Sequence, residues 1–173
     1  MKYPLAYLIT FTTYGTWLHG DKRGSVDKRH NQYCSDFVSP NAQIHKKEQA
    51  NLKNPPFIMN KNIREVVLKA VLQVCGLRGR IPYAIHVRSN HIHTVASGRE
   101  KPEKMMVDFK AYATKAIKSF GNNKTIIKKY WTQHGSTKYL WTKEHLASAT
   151  EYVKNRQGKI MSLWVNDKTE PQA

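Results

Sequence analysis

The stretch "IPYAIHVRSNHIHTVAS", residues 81–97, contains the clearest signal of secondary structure in this protein. In its first half the large apolar residues recur at every second position, as in a strand with one buried face. These residues are Ile81, Tyr83, Ile85 and Val87. Ser89 and Asn90 then interrupt the pattern, and "HIHTVAS" resumes as a second extended segment. The sequence therefore predicts an antiparallel hairpin.

The second strand of this hairpin carries two histidines, His91 and His93, on either side of Ile92. Alternate side chains of a strand point to the same face, so both imidazoles project together. Two interpretations are open at this point. The pair could bind a divalent metal, which needs at least one further ligand from elsewhere. Alternatively, both are polar residues on the solvated side of a sheet.

Further elements are predicted before the hairpin. Residues 5–13 are rich in Thr, Tyr and Ile and indicate a first strand. The region 13–60 has no sustained periodicity and is predicted to be irregular, which suggests a binding role or an insertion. A helix follows, because apolar residues recur at helical spacing along 63–74. Its expected start is Asn60 or Asn62, and its expected end is Gly76 or Gly79.

Two helices and one extended segment are predicted after the hairpin. A helix covers 103–120, and an aromatic and Thr-rich extended segment, broken at Gly135, covers 130–141. The last helix covers 142–158, with Thr142 as N-cap and Gly158 at its end. The order of elements predicts an α+β fold with helices packed on an antiparallel sheet. We expect one domain, 1–165, followed by a polar tail, 166–173.

The composition is strongly basic, with 29 Lys and Arg against 12 Asp and Glu and a formal net charge of +17. So much repulsion in one small domain favours a polyanionic partner. Nucleic acid is the first candidate, an anionic membrane the second, and a simple solubilising charge the third. No apolar run reaches the roughly 20 residues that span a bilayer. The chain has 2 cysteines without metal-binding spacing, which favours a reducing cytoplasm.

Basic and aromatic residues that could contact nucleic acid occur in two regions. In the 103–120 helix, lysines alternate with a tyrosine, a combination suited to phosphates and stacked bases. These residues are Lys110, Tyr112, Lys115 and Lys118. In the long N-terminal segment the candidates are Arg23, Lys28 and Arg29, and Tyr14 and Trp17 either stack on bases or anchor the loop. A solvated charged face would have the same composition.

Tyr152, on the last predicted helix, gives the histidine pair a chemical context. A tyrosine can act as a nucleophile that forms a covalent intermediate. Its attack on a phosphodiester requires a cation that withdraws charge from the phosphate oxygens. A metal, a tyrosine and a basic surface are together the parts of a DNA strand-transfer enzyme. A tyrosine that only packs its helix against the sheet is the other interpretation.

Several segments together resemble one known family. "SNHIHTV" is similar to the His-hydrophobe-His signature of the HUH single-strand DNA nucleases, and "ATEYVKNRQGK" is similar to their helix with a single tyrosine. "TFTTYGTWLHGDKRGSVD" and "WTQHGSTKYLW" resemble stretches of REP-associated tyrosine transposases, relatives of the transposases of insertion elements. The resemblance runs from about residue 7 to about residue 164.

This resemblance implies a ferredoxin-like antiparallel sheet and a metal-dependent activity that cleaves and rejoins single-stranded DNA at hairpin-associated sequences through a 5′-phosphotyrosine. It implies that Tyr152 is the nucleophile and that His91 and His93 bind Mg²⁺ or Mn²⁺. The family's third ligand is a side-chain amide shortly after the tyrosine, commonly four residues on, where this chain has Arg156. We therefore expect Gln157, next to the helix-ending glycine, with Asn155 as the alternative.

Two other functions stay open at this stage. The first is a non-catalytic module that binds single-stranded nucleic acid on the same fold, although its central strand offers histidines where aromatics are usual. The second is a small zinc hydrolase, for which the nearest downstream acid is Glu100. The sequence leaves monomer and homodimer open, and the expected location is the cytoplasm, with the nucleoid.

Overall fold

A five-stranded antiparallel sheet forms the centre of the computed structural model, which describes residues 3–18, 21, 40–121 and 127–167. Its strand order is β4-β1-β3-β2-β5, and each neighbouring pair is antiparallel. The strands are β1 (Ala6–Thr12), β2 (Ile81–Val87), β3 (His91–Ser97), β4 (Ser136–Leu140) and β5 (Ser162–Val165).

Four helices in the described residues complete the fold. They are α1 (Ala42–Ala50), α2 (Lys61–Leu77), α3 (Pro102–Phe120) and α4 (Lys143–Asn155). With α2 between β1 and β2, and α3 between β3 and β4, the order β4-β1-β3-β2 is that of a ferredoxin-like βαββαβ unit. The predicted α+β, ferredoxin-like class is thus confirmed. None of the described helices is both long and apolar enough to cross a lipid bilayer.

The predicted hairpin is present, with its turn at residues 89–90. The Arg88 amide donates to the His91 carbonyl (2.9 Å), and the register then places His86 opposite His93. The expected single buried face is wrong for β2, because its residues 84–87 are all buried. A register shift between Pro82 and Ala84 also puts Tyr83 on the opposite side of the sheet from Ile85.

The predicted helix signals correspond closely to the observed ends. Asn60 caps α2, its side chain accepting from the Ile63 amide at 3.0 Å. Gly79 follows α2 with φ of 62°, a conformation that glycine adopts without strain. Thr142 caps α4, which ends at Asn155 instead of 158.

Two elements were not predicted. Helix α1 lies within the region 13–60 that was expected to be irregular, and Asn41 caps it. None of its side chains is buried. A helix without a buried side needs no apolar stripe, so the sequence pattern did not indicate it. Strand β5 has only four residues, too few for an alternating pattern to be distinguished from a loop.

The two faces of the sheet differ in cover. We call the side packed by α2 and α3 the core face, where Phe11, Ile92 and Phe109 are fully buried. We call the other side the open face. Helix α4 covers only part of the open face, packing Ala149 and Val153 against Leu8 and Val95. On β1 and β3 the open face continues past this contact as Thr10, Thr12, His91 and His93.

Candidate functional site

His91 and His93 lie side by side on the open face, at the start of β3. Their ring centroids are 4.8 Å apart and the rings are nearly perpendicular, at 78°. Across the sheet they pair with Thr12 and Thr10 of β1. The strand alternation that the sequence suggested therefore brings both imidazoles to one place.

Hydrogen bonds fix the orientation of both rings. Nδ1 of His91 donates to Oδ1 of Asn90 (2.7 Å), and Nδ1 of His93 shares a hydrogen bond with Oγ1 of Thr10 (2.7 Å). A polar partner on one ring nitrogen is typical of metal-binding histidines, because it sets the tautomer and directs the other nitrogen to the ion. Both rings have such a partner on Nδ1, which directs Nε2 away from the strand.

His93 is held in its neutral form. Burial, reinforced by the neighbouring His91, lowers the pKa of His93 to about 3, while a hydrogen bond with the Gln157 side chain acts in the opposite direction. A neutral imidazole is the form that binds a metal ion, so His93 does not need to lose a proton at neutral pH.

Tyr152 lies above this pair on α4. Ala149 and Val153 are spaced four residues apart and anchor the inner side of the helix, which leaves Tyr152 at its margin and 40% exposed. The centroid of its ring is 5.5 Å from that of His93. The tyrosine is thus in ring contact with a histidine of the pair and is also accessible to a large substrate.

The end of α4 turns one amide back toward the histidines. The helix stops at Asn155, and Gly158 has a left-handed φ of 72°, which reverses the chain. Gln157 then folds back: its Nε2 donates to the Tyr152 carbonyl (3.2 Å), and its side chain hydrogen-bonds His93. Asn155 instead donates to Oε1 of Glu151 (2.8 Å) on the exposed side of the helix.

His86 belongs to the same region and was missed by the sequence interpretation. It is fully buried, with Nδ1 donating to the Val153 carbonyl (3.1 Å) and Nε2 accepting from the Met161 amide (3.1 Å). Burial lowers its pKa, which suits a neutral ring that donates on one side and accepts on the other. It ties β2 to the helix of Tyr152. The two-residue turn was a usable signal, since counting back from it pairs His86 with His93.

The segment after β1 borders the site at His91. Trp17 lies with its ring centroid 6.5 Å from that of His91. Thr13 and Thr16 hydrogen-bond each other (2.8 Å), and the Thr13 hydroxyl donates to the Asn90 carbonyl (3.1 Å), which fixes the turn below His91. Tyr14 instead anchors the loop, because its amide donates to the Tyr130 carbonyl and its carbonyl accepts from Phe57.

The basic residues predicted on α3 lie across the sheet from the histidines, since α3 packs on the core face. Lys115 and Lys118 are exposed there, and Tyr112 packs against the core. Lys110 has an internal role: its Nζ donates to the carbonyls of Thr132, Gln133 and His134 at 2.8–3.2 Å. Arg23, Lys28 and Arg29 fall outside the described residues.

The donor set fits a small divalent cation. Two imidazoles and the side-chain amide of Gln157 lie together, and they offer nitrogen and oxygen ligands of the kind that Mn²⁺ accepts and that Mg²⁺ takes less readily. Over the described ranges, no three residues of His, Cys, Asp or Glu form a metal-binding group. Glu100, the acid that a zinc hydrolase would need, accepts two hydrogen bonds from Arg80 (2.6 and 2.8 Å).

Comparisons with known proteins give a distant likeness at the level of structure. No family model matches the chain, and neither does any curated protein. Among solved structures, the fold is similar to one described as the REP-associated tyrosine transposase bound to a REP hairpin, with a TM-score of 0.47 and 12% sequence identity. The alignment covers 88% of this chain and 66% of that chain, so this chain spans just under two thirds of its length.

Proposed function

We propose that the protein is a metal-dependent transposase or endonuclease that cleaves and rejoins single-stranded DNA through a covalent phosphotyrosine. The observation that supports it best is the convergence of Tyr152, Gln157 and the two histidines on the open face. These residues come from separate parts of the chain and carry a nucleophile and a ligand set. A nucleophile must be accessible to its substrate, and the Tyr152 side chain is 40% exposed.

In the proposed reaction, the Tyr152 hydroxyl loses its proton to solvent and its oxygen attacks the scissile phosphorus. The new bond joins this oxygen to the 5′ phosphate, and the bond from phosphorus to the 3′ oxygen breaks. The departing 3′ oxygen takes up a proton and becomes a hydroxyl. The same or another 3′ hydroxyl then attacks the phosphotyrosine, which reseals the strand and releases the tyrosine. The phosphotyrosine conserves the bond energy, so no nucleotide cofactor is required.

His91, His93 and Gln157 are the residues that would hold Mg²⁺ or Mn²⁺. Such a cation would withdraw charge from the non-bridging phosphate oxygens. The contact between Gln157 and His93 supports Gln157 as third ligand over Asn155, whose amide is engaged with Glu151. His86 contributes by positioning: through the Val153 carbonyl it holds the helix segment next to Tyr152 against β2.

The proposed substrate is single-stranded DNA with a hairpin, as the resemblance of the sequence segments implies. The formal net charge of +17 supports a polyanionic substrate of this kind. We place the activity in the cytoplasm with the nucleoid, where such DNA occurs, and leave monomer or homodimer to measurement.

A non-catalytic module for single-stranded nucleic acid is the second candidate, and one observation favours it. Tyr139 on β4 and Trp141 just after its end are both 43% exposed and stack on each other, with centroids 6.0 Å apart. Exposed stacked aromatics are a common platform for bases. This pair does not include Tyr152, so the two candidates can be separated by mutation.

The decisive experiment is a covalent-adduct assay. The protein is incubated with Mn²⁺ or Mg²⁺ and 5′- or 3′-labelled oligonucleotides that contain hairpins, and is then separated under denaturing conditions. We expect an adduct that carries the 3′ label, because the 5′ phosphate stays on the tyrosine. The adduct should disappear in EDTA and in the variants Tyr152→Phe and His91→Ala.

Two results would contradict the proposal in different ways. An adduct that persists in Tyr152→Phe would assign the nucleophile to another residue. Tight binding of every oligonucleotide, without an adduct under any metal, would favour the binding module, and the loss of that binding in Trp141→Ala would then locate its platform.

A further inference from the structure

Two arginines meet next to the Gln157 side of the candidate site. Arg64 lies in the first turn of α2, and its Nη1 donates to the Met59 carbonyl (3.0 Å). Arg88 follows β2, and its Nη1 donates to the Lys159 carbonyl (2.8 Å). The Met59 amide in turn donates to the carbonyl of Ser89, the neighbour of Arg88 (2.8 Å). Both side chains are thus fixed to adjoining backbone segments.

In the part of the chain that the structure describes, neither guanidinium group has a counter-charge close to it. Among the described residues, no carboxylate lies within 4.0 Å of either one, and the nearby Glu65 instead accepts from the Ser162 hydroxyl (2.5 Å). Nε of Arg64 is buried and has no hydrogen-bond partner. Burial lowers the pKa of Arg88, and the charge of Arg64 lowers it further. The positive charges therefore repel each other in a partly desolvated place.

Arg80 is a buried arginine with a structural role, and its surroundings can be compared with those of Arg64 and Arg88. Its guanidinium contacts the carboxylates of Glu100 (2.6 Å) and Asp108 (2.5 Å), which compensate the cost of burying its charge. Among the described residues, Arg64 and Arg88 have no such carboxylate partner. An anion from outside the chain would compensate their charge.

The position of the pair indicates which anion this is. Arg88 acts electrostatically on His93, and its Nη2 would lie 4.0 Å from a Cβ placed on Gly158, the residue after Gln157. A group bound by both arginines would therefore lie beside the candidate site, on the side where the Gln157 amide lies. The planar, forked guanidinium matches the oxygens of a phosphate better than an ammonium does.

We propose that Arg64 and Arg88 together bind one backbone phosphate of the single-stranded DNA, a phosphate next to the scissile one. This inference rests on the proposed function for its substrate. Bound there, the strand is held in register, so that the following phosphate lies over the histidines and Tyr152. Both residues are positioning residues, and neither takes part in bond making.

The test is DNA binding without catalysis. Fluorescence anisotropy with a labelled single-stranded oligonucleotide in EDTA compares the wild type with Arg64→Gln and Arg88→Gln. We expect the Kd to rise on the order of tenfold in each, the loss of one charged hydrogen bond. The slope of log K against log salt should become shallower by about 0.7, the value for one phosphate on a single strand. The charge-retaining Arg64→Lys and Arg88→Lys should keep the salt slope.

Arg78→Gln is the matched control, because Arg78 is an arginine of the same chain, 48% exposed, that pairs with Asp108 (3.9 Å). It should leave the Kd within about twofold, as expected for the loss of a surface charge away from the strand. Oligonucleotides with a single neutral methylphosphonate linkage then locate the phosphate. One linkage should weaken binding to the wild type, and the same linkage should weaken binding to Arg64→Gln or Arg88→Gln by a smaller factor, because each variant keeps only one of the two arginines.

Wild-type affinity and salt slope in both glutamine variants would overturn the proposal, as would a change no larger than that of Arg78→Gln. Circular dichroism checks that each variant is folded. If a glutamine variant does not fold, the Kd of the corresponding lysine variant is compared with that of the wild type instead. The adduct assay separates the two proposals. A normal adduct with unchanged binding refutes only the phosphate site, whereas impaired binding without any adduct refutes only the tyrosine chemistry.

Discussion

The core face and the open face of the sheet use the same strands for different purposes. On β1, Ile9 and Phe11 point into the apolar core under α2 and α3, while Thr10 between them points to His93 on the other side. Successive residues of one strand therefore divide between packing and chemistry. Because Ile9 and Phe11 anchor β1 on the core face, Thr10 between them is held in place on the open face, where it hydrogen-bonds His93.

The open face is polar without being fully exposed. His86 is completely buried and His93 is only 6% exposed, yet each has hydrogen-bond partners. Buried polar groups with hydrogen-bond partners favour a single arrangement of the side chains, because any other arrangement would leave a donor or an acceptor unpaired. Stability should therefore depend mostly on the core face, and activity mostly on the open face. Substitutions on each face test this division.

Tyr152→Phe should abolish formation of the covalent adduct, with a loss on the order of 10⁴-fold or more, the range found when an essential nucleophile is removed. The free energy of unfolding should change by less than about 0.5 kcal/mol, because the side chain is 40% exposed. Adduct yield and urea unfolding measure the two quantities. Tyr139→Phe is the control, a tyrosine of similar exposure on β4 that should keep full adduct formation.

Phe109→Ala, on the core face, should lower the free energy of unfolding by about 3–5 kcal/mol, since the ring is fully buried and its removal leaves a cavity. The refolded fraction at low temperature should still form the adduct. Val107→Ala on the same helix is 60% exposed and should change stability by less than about 0.5 kcal/mol. Equal destabilisation by both substitutions would contradict the packing of α3 on this face.

Gly135→Ala should lower the free energy of unfolding by about 1–3 kcal/mol, the usual cost of overpacking. A Cβ there would lie 2.4 Å from the Thr10 carbonyl oxygen and 2.7 Å from the Met106 sulfur. Because Thr10 holds His93, the adduct yield should fall as well, so this change couples the two faces. Gly76→Ala, with no atom within 4 Å of the new methyl group, should instead stabilise α2 by about 0.5–1 kcal/mol. Chemical denaturation measures both.

The pH dependence of stability should report His93. Its pKa is about 3 in the folded protein and near 6.5 when unfolded, so its contribution is complete above pH 6.5 and is lost as the pH falls toward 3. Between pH 7.5 and pH 5.5 the loss should be about 1.4 kcal/mol in EDTA. His86, whose pKa is also lowered, acts in the same direction. Urea unfolding of His93→Asn at both pH values should show a smaller difference, and an unchanged difference would refute the assignment.

Much of the fold could be predicted from local patterns. The caps Asn60 and Thr142, the alternation along β3 and the turn at residues 89–90 are short-range signals, and the structure contains all of them. Helix α1 has no buried side, and β5 obtains its hydrogen bonds from an edge of the sheet that no local pattern reveals.

The candidate site was only partly predictable for a similar reason. His91 and His93 share a face by strand geometry alone, and a left-handed Gly158 was sufficient to expect that Gln157 turns back. Their assignment as metal ligands stays a prediction. Thr10 and His86 meet the pair across strands, so their positions depend on sheet order. Which side of the sheet the α3 lysines occupy depends on how the helices cross it, and the sequence does not contain that information in a local form.

Lys110 and Arg80 contribute to the net charge of the protein but little to the electrostatic potential at its surface, because both are engaged inside the fold. Lys110 satisfies three carbonyls inside the fold, and burial lowers its pKa to about 8, so this cation is partly lost at mildly alkaline pH. Arg80 is neutralised by its two carboxylates. A polyanion that approaches the protein therefore meets a smaller and more localised potential than the composition indicates.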